Sequence, residues 1–344
     1  MFIKAIKIAA LLSIGSLTLT ACDPPMPPEV LATLAEQSYT CEAGDTQITG
    51  PLEILTAATD WQATVESNCP GMTITPVEAS TPEVELQVGN ALAAGTKAYV
   101  TVPFAVDAVV IAVTLTDITN VNLNADAIEK IWSGQITKWN DSVIVALNPN
   151  FTLPATSITF GSELDAAMAQ PLADWVGRLA GHDVNLSAGA AKLDDLVDGS
   201  LVITTYSRAT TQAVPVVGIV TSKTPGVDGI IPDNNSINSG ATMFKSKITS
   251  GIVQLTYDPA AKPVPPEGVD VAPVPYQAVS VINLNLVGTD SLKTRAAARY
   301  VLRQDSQGSL GLTTLIALPE TLRIIALTEV SKGLPEPVIT PSAN

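Results

Sequence analysis

The sequence predicts an α/β chain of two lobes, each a mainly parallel sheet flanked by helices, with a cleft between them. Three observations lead there. Apolar runs alternate with helical patterns along most of the chain, the mark of parallel strands covered by helices. After a short leader roughly 320 residues remain, enough for two cores of ordinary domain size. One long run, Val102–Val113, is interrupted only by Asp107 and is too hydrophobic for a surface strand, so it reads as a strand buried inside a sheet.

The leader comes first. Lys4 and Lys7 precede an apolar stretch from Ile8 to Leu19 that ends in Leu19-Thr20-Ala21-Cys22. That stretch is too short to span a bilayer core of ~30 Å, which makes it a processed export signal. The small residues before Cys22 point to lipoprotein cleavage, leaving acyl chains such as palmitate on the mature N-terminus; an ordinary signal peptide with a chance cysteine is the alternative. Acyl chains together hold a protein stably on a membrane, which places the fold outside the cytoplasm. Residues 22–40 form a tether in which Pro24, Pro25, Pro27 and Pro28 favour an extended spacer. Beyond Cys22 only Cys41 and Cys69 remain, an even pair in an oxidising compartment and an expected disulfide. A thiolate metal site would want histidines nearby, and the single histidine, His182, lies far along the chain.

Acidic residues outnumber basic ones, 33 to 18, for a formal charge of −15. This is the opposite of a nucleic-acid binder's basic footprint, so no nucleic-acid partner is expected. Solubility alone would also account for the charge.

From Cys41 the elements follow in order. Pro51–Thr59 opens a unit, Trp61–Ser67 has a helical pattern and Met72–Val77 a strand pattern. Ser80-Thr81-Pro82-Glu83 has the form of an N-cap with proline in the first helical turn. Leu193–Val197 reads as a helix end and Leu201–Thr205 as the strand after it. Val227–Ser239 and Ala260–Pro275 are Gly-, Pro- and Asn-rich loops. Near Pro275 the chain turns back, with a strand at Val279–Leu286 and an amphipathic helix at Leu292–Leu302. Leu318-Pro319-Glu320 then introduces a last helix.

The most particular stretch is Ile128–Pro154, IEKIWSGQITKWNDSVIVALNPNFTLP. Its spacing, I-x-x-I-W-x-G-x-I-x-x-W-x-D followed by a short helix, an L-N-P turn and a Leu-Pro pair, resembles the phosphate-binding (PstS-like) solute-binding proteins of bacterial ABC importers. The resemblance extends over roughly Thr46–Val330 and implies the type II periplasmic-binding-protein fold. On that basis Val102–Val113 carries the chain from the first lobe to the second. The implied division is signal 1–21, tether 22–40, first lobe 41–108 and 274–334, second lobe 109–273 and tail 335–344. Two crossovers imply a hinge, and the cleft between lobes is where a ligand sits.

The ligand loops depart from that family. Its second lobe supplies R-x-D-G-S-G-T at a helix start, where a guanidinium, hydroxyls and helix amides surround an oxyanion. An ungapped count from Leu153-Pro154 places Glu163-Leu164-Asp165-Ala166-Ala167-Met168-Ala169 there, and only Asp165 matches. Glu163 reverses a charge where an anion would bind. In the first lobe the family's glycine-serine turn becomes Ile48-Thr49-Gly50-Pro51, keeping Thr49 and Gly50. Ser80 and Thr81 correspond to a second serine loop, whose hydroxyls would stand at a helix start. Asp107 replaces a glycine at the crossover.

Two interpretations stay open. Asp107, Glu163 and Asp165 together would suit a cation, an amine or a metal with oxygen ligands; alternatively Glu163 and Asp165 are solvated loop carboxylates and Asp107 is a hinge residue bonded to backbone. Arg208 could return a positive charge to the cleft. Trp61, Trp132, Trp139 and Trp175 fall in helical segments or on the family helix and read as packing residues. No nucleophile and base form a recognisable pair, so no enzymatic activity and no cofactor are expected. The expected partners are a small-molecule or ion ligand, an ABC permease and, through the lipid, a membrane. A surface scaffold, sensor or adhesin that has lost its ligand is the competing function.

Overall fold

The computed structural model describes residues 39–222, 228–266 and 268–335. The signal, Cys22 and most of the tether lie outside the described residues. Among the described residues no helix is long and apolar enough to cross a membrane.

The molecule is organised by one strand. β4 (Ala98–Thr114) is 17 residues long, and nearly all of it from Val102 on is buried. Each buried Val, Ile or Phe contributes ~1.5–3 kcal/mol relative to exposure, so this run is the largest single contribution to cohesion. Its partners change along its length. From Ala98 to Ala108 it pairs antiparallel with β11 (Val279–Val287), and from Val109 to Thr114 antiparallel with β7 (Ser200–Thr205). The switch falls between Ala108 and Val109, with Asp107 one residue before it.

On the first side, β1 (Gly44–Thr49) runs parallel to β2 (Met72–Pro76) and to β3 (Leu86–Val88), and β3 pairs with β11. On the second, β6 (Thr159–Ser162) runs parallel to β7, and β5 (Asn122–Asn124) parallel to β8 (Gly218–Val220). Parallel ladders thus build each half, as the alternation of runs predicts. Antiparallel pairing arises where the chain crosses between halves, and in the hairpin of β9 (Phe244–Thr249) and β10 (Ile252–Tyr257). This hairpin was not foreseen. It joins β4 through Ile252 opposite Thr101, so it sits on the β11-paired part of β4 although its sequence falls within 109–273.

Helices cover the sheet. The two segments expected at 51–67 are one helix, α1 (Leu52–Asn68), whose buried face includes Ile54, Trp61 and Val65. A disulfide joins Cys41 to Cys69 just beyond it. The motif region folds as α2 (Ala125–Trp132), capped by Asn124, and α3 (Ser142–Leu147), capped by Asp141. α4 (Ala166–Ala180) ends on Gly181 in the left-handed region, φ 83°, where glycine carries no Cβ penalty. α5 (Tyr206–Thr211) follows β7 directly. After α6 (Asn234–Ala241) the returning chain forms α7 (Leu292–Leu302), then α8 (Gln304–Gln307), β12 (Ile316–Ala317) and α9 (Glu320–Val330). All four tryptophans are buried packing residues: Trp61 donates to the Ser306 carbonyl, Trp139 to that of Gly199, Trp132 lies against Phe160 and Trp175 edge-on to Tyr276.

Three expectations need correction. No helix follows Ser80-Thr81-Pro82-Glu83; the Val84 N–H bonds the Thr81 carbonyl in a turn that leads into β3. Conversely, α6 (Asn234–Ala241) begins inside the predicted loop at 227–239. Asn, Ser and Gly propagate helices poorly, yet Asp233 and Ser236 form a reciprocal capping box that starts this one. Leu193–Asp195 is a short 3-10 turn, not the end of a long helix.

Candidate functional site

The second-lobe turn is built where β6 and β7 end side by side. Glu163 follows β6 and its N–H continues the ladder to the Ile203 carbonyl. Its carboxylate points inward, with the side chain only 14% exposed. Oε1 accepts from the Leu193 N–H at 3.0 Å, and Oε2 from Thr204 Oγ1 at 2.9 Å. Arg208, in the first turn of α5, donates Nε to Oε2 at 2.9 Å. Its Nη2 reaches both carboxylate oxygens of Asp194 at 2.9 Å.

The guanidinium is therefore shared between two carboxylates; these three groups sum to one negative charge, and the charge of Lys192 also acts on Asp194. The bond from Glu163 first, and the charges of Glu163 and Asp194 after it, hold the Arg208 proton more firmly than usual. Asp194 is kept below the ordinary carboxylate range by the Gln212 amide and then by Arg208. Glu163 is accordingly an internal acceptor and not a solvated loop carboxylate. Arg208, 43% exposed, enters this region already engaged.

Asp165 has a different task. It is the N-cap of α4, accepting from the Met168 N–H at 2.8 Å, a bond of ~1 kcal/mol to the helix. With this cap in place a carboxylate stands at the start of the helix and occupies one of its free amides. Met168, in the first turn of α4, is exposed.

Asp107 sits at the crossover, 4% exposed. It accepts from the Ala108 N–H at 2.7 Å, the Ser207 N–H at 3.0 Å and Ser207 Oγ at 2.5 Å. These donors are all neutral, and burial pushes the Asp107 carboxyl above its ordinary value despite them. The residue fastens α5 to the middle of β4. Bonding to backbone at the crossover was one of the two readings of Asp107, and the Ser207 hydroxyl adds to it.

In the first lobe, Thr49 ends β1 in register with Gln87 and is buried. Gly50 leads into α1, and a Cβ there would lie 3.1 Å from Ile54 and Val88. Close approach of the helix to β3 thus explains this glycine. Ser80 and Thr81 converge on Gln87: Ser80 Oγ lies 3.4 Å from Gln87 Oε1, and Gln87 Nε2 donates to the Thr81 carbonyl at 2.9 Å. Their hydroxyls do not stand at a helix start.

The predicted residues therefore form two groups. Asp107, Glu163 and Asp165 gather around the ends of β6 and β7. Thr49, Gly50, Ser80 and Thr81 gather around β3. Sequence reasoning missed Gln87, Thr204, Ser207 and Asp194, which organise the groups. Only Thr204 and Ser207 had a signal, as polar residues flanking a strand end next to Arg208.

A family model described as the PBP superfamily domain matches residues 35–262, and the chain belongs to that family. Among solved structures, the chain is similar in fold to a human phosphate-binding apolipoprotein, with 12% identity, 83% of this chain and 94% of that one covered, and a TM-score of 0.49. It is likewise similar to PstS from Borrelia burgdorferi, with 12% identity, 81% and 100% covered, and a TM-score of 0.41. An ABC-type phosphate transport receptor from Vibrio cholerae has 12% identity, 80% and 100% covered, and a TM-score of 0.40. No curated protein matches the chain.

Proposed function

We propose that this is an extracytoplasmic, lipid-anchored solute-binding protein of the kind that delivers ligand to an ABC permease, and that it does not hold phosphate in the family's usual manner. Family membership and the Ile128–Pro154 motif support the first part. The lipoprotein signal ending at Cys22 supports the anchor. The observation that carries the second part is Glu163: it stands at the position of the family's arginine and binds the nearest guanidinium, Arg208, instead of leaving it for an anion. A phosphate entering here would meet the Glu163 carboxylate and a guanidinium already engaged by two carboxylates, and like charges in a cleft repel by several kcal/mol. The lobes would hinge where β4 exchanges β11 for β7, between Ala108 and Val109, and where the chain returns at residues 273–274. Neutral or cationic solutes fit the remaining groups better.

A second reading has its own support. Glu163, Asp165 and Asp107 are all engaged within the protein, which also suits a surface scaffold, sensor or adhesin without a cleft ligand.

Thermal unfolding against a panel of solutes separates these. A cleft ligand at a hundred times its Kd stabilises by ~2.7 kcal/mol. The expected result is no shift with inorganic phosphate and a shift with an amine, a cation or a neutral solute. A large phosphate shift would overturn the charge argument, and no shift with any solute would favour the scaffold. Labelling with radioactive palmitate in the producing cell checks the anchor: the wild type should incorporate label and Cys22→Ser should not.

A further inference from the structure

Away from Glu163 and Asp107, a cavity of about 280 Å³ opens beside the L-N-P turn, between the start of β5, the end of α3 and the chain before α6. Its floor is built from two asparagines. Asn148 accepts from the Asn122 N–H at 2.8 Å and donates to the Asn122 and Ile144 carbonyls, each at 2.9 Å. All its hydrogen-bonding capacity in this direction is committed, so the backbone of Asn122 is fixed.

The Asn122 side chain is fixed as well. Its Oδ1 accepts from the Gly229 N–H at 3.1 Å. Gly218 and Gly229 make room for it: a Cβ on either would lie 2.5 or 2.8 Å from that oxygen. With Oδ1 held by a donor, Nδ2 is the end left for the cavity, and it makes no hydrogen bond among the described residues.

Around this floor stand Asn120, Asn150 and Asp228, whose side chains also make no hydrogen bond among the described residues. Phe151 and Ile231 supply an apolar wall. Amides both donate and accept, a carboxylate accepts, and an aromatic face packs against ring C–H groups. Among the described residues no cationic side chain lines the cavity, which disfavours an anion, and one carboxylate is too little charge for a divalent metal. The volume lies just below the ~300–1,000 Å³ of pockets for drug-sized ligands, so it suits a single ring.

We infer that this cavity is a second binding site, for a neutral pyranose sugar whose hydroxyls pair with Asn122, Asn150, Asn120 and Asp228 and whose ring rests on Phe151. The site is independent of the cleft reading. The test is ligand-observed NMR titration of the full mature protein with glucose, galactose, mannose and N-acetylglucosamine. Saturable binding of at least one is expected in the wild type. Replacing the exposed pair, Asn120→Ala with Asn150→Ala, should weaken it about tenfold or more, the scale of one or two lost hydrogen bonds. Glu163→Gln should leave it unchanged, which separates this site from the cleft. Asp228→Ala provides a second variant at the rim should the pair fold poorly. Absence of saturable binding to all four sugars, or binding indifferent to both rim variants, would overturn the proposal.

Discussion

Gln87 and Glu163 are nearly isosteric side chains that do the same work in opposite halves of the molecule. Each is turned inward in or just beyond a short strand and ties neighbouring segments together. Gln87 donates to the Thr81 and Val84 carbonyls and accepts from the Ala93 N–H and the Ser80 hydroxyl. Glu163 accepts from Leu193, Thr204 and Arg208. The amide satisfies itself with neutral groups because it has donors as well as acceptors. The carboxylate is acceptor-only and carries charge, so it needs a cation when partly buried. A carboxylate organiser thus consumes the nearest guanidinium, whereas an amide organiser consumes nothing a ligand would want. The positive charge of the second half is spent on architecture.

The comparison breaks most visibly at Gln87. Gln87→Ala strips two carbonyls and one amide of their partner in a buried place, at ~1–3 kcal/mol for each group left unsatisfied. We expect a loss of about 3 kcal/mol in urea unfolding, and faster proteolysis between residues 78 and 97. Gln87→Glu should do nearly as much harm, because no cation is near to balance it among the contacts above. If the Glu variant matches wild type, neutrality is not what this position requires.

Glu163→Gln reverses the experiment. The amide retains an acceptor for Leu193 or Thr204 but releases Arg208, which is 43% exposed, so the stability change should be modest, about 1 kcal/mol or less. The functional change should be larger: with the guanidinium left to Asp194 alone, binding of phosphate or sulfate should become measurable by calorimetry where the wild type shows none. Continued silence toward both anions in Glu163→Gln and in Glu163→Arg would mean that the lost glycines and hydroxyls at residues 166–169, not charge, abolished the oxyanion site.

The sequence exposes these two positions unequally. β4, the 128–154 motif and α9 were legible because each is long, apolar and periodic or has distinctive spacing. Glu163 was legible as a charge reversal, but its pairing with Arg208 joins residues 45 apart and depends on β6 lying beside β7, which no local pattern encodes. Gln87 was invisible: one glutamine among valines and leucines looks like a solvated strand residue until the stretches before and after β3 fold over it. The false helix at Ser80-Thr81-Pro82 and the missed α6 share a cause. Capping residues also favour turns, and tertiary contacts decide which outcome prevails.

Asp107 is the sharpest form of the comparison, and its effect is read as a slope with pH, not as a loss at one pH. It is a carboxylate placed as an amide would be, among neutral donors: Ala108 N–H, Ser207 N–H, Ser207 Oγ and, behind them, the Thr205 hydroxyl. Burial raises its folded pKa above the ordinary 3.8. A raised carboxyl means that the folded state holds its proton more tightly than the unfolded chain. This group's contribution is therefore fully present below the unfolded value of 3.8 and is lost as pH rises through the folded value. Asp107→Asn keeps an acceptor for the two N–H groups and can donate to the Ser207 hydroxyl, without the charge. The unfolding free energy of the variant relative to wild type should then increase with pH above the unfolded value and level off once the wild-type carboxyl is ionised. Urea titrations of both proteins at intervals from pH 3.5 to about pH 8 measure it. A difference that is flat across the range, or that favours aspartate more strongly as pH rises, would show that neutral donors stabilise this buried charge fully and that Glu163 did not need its arginine.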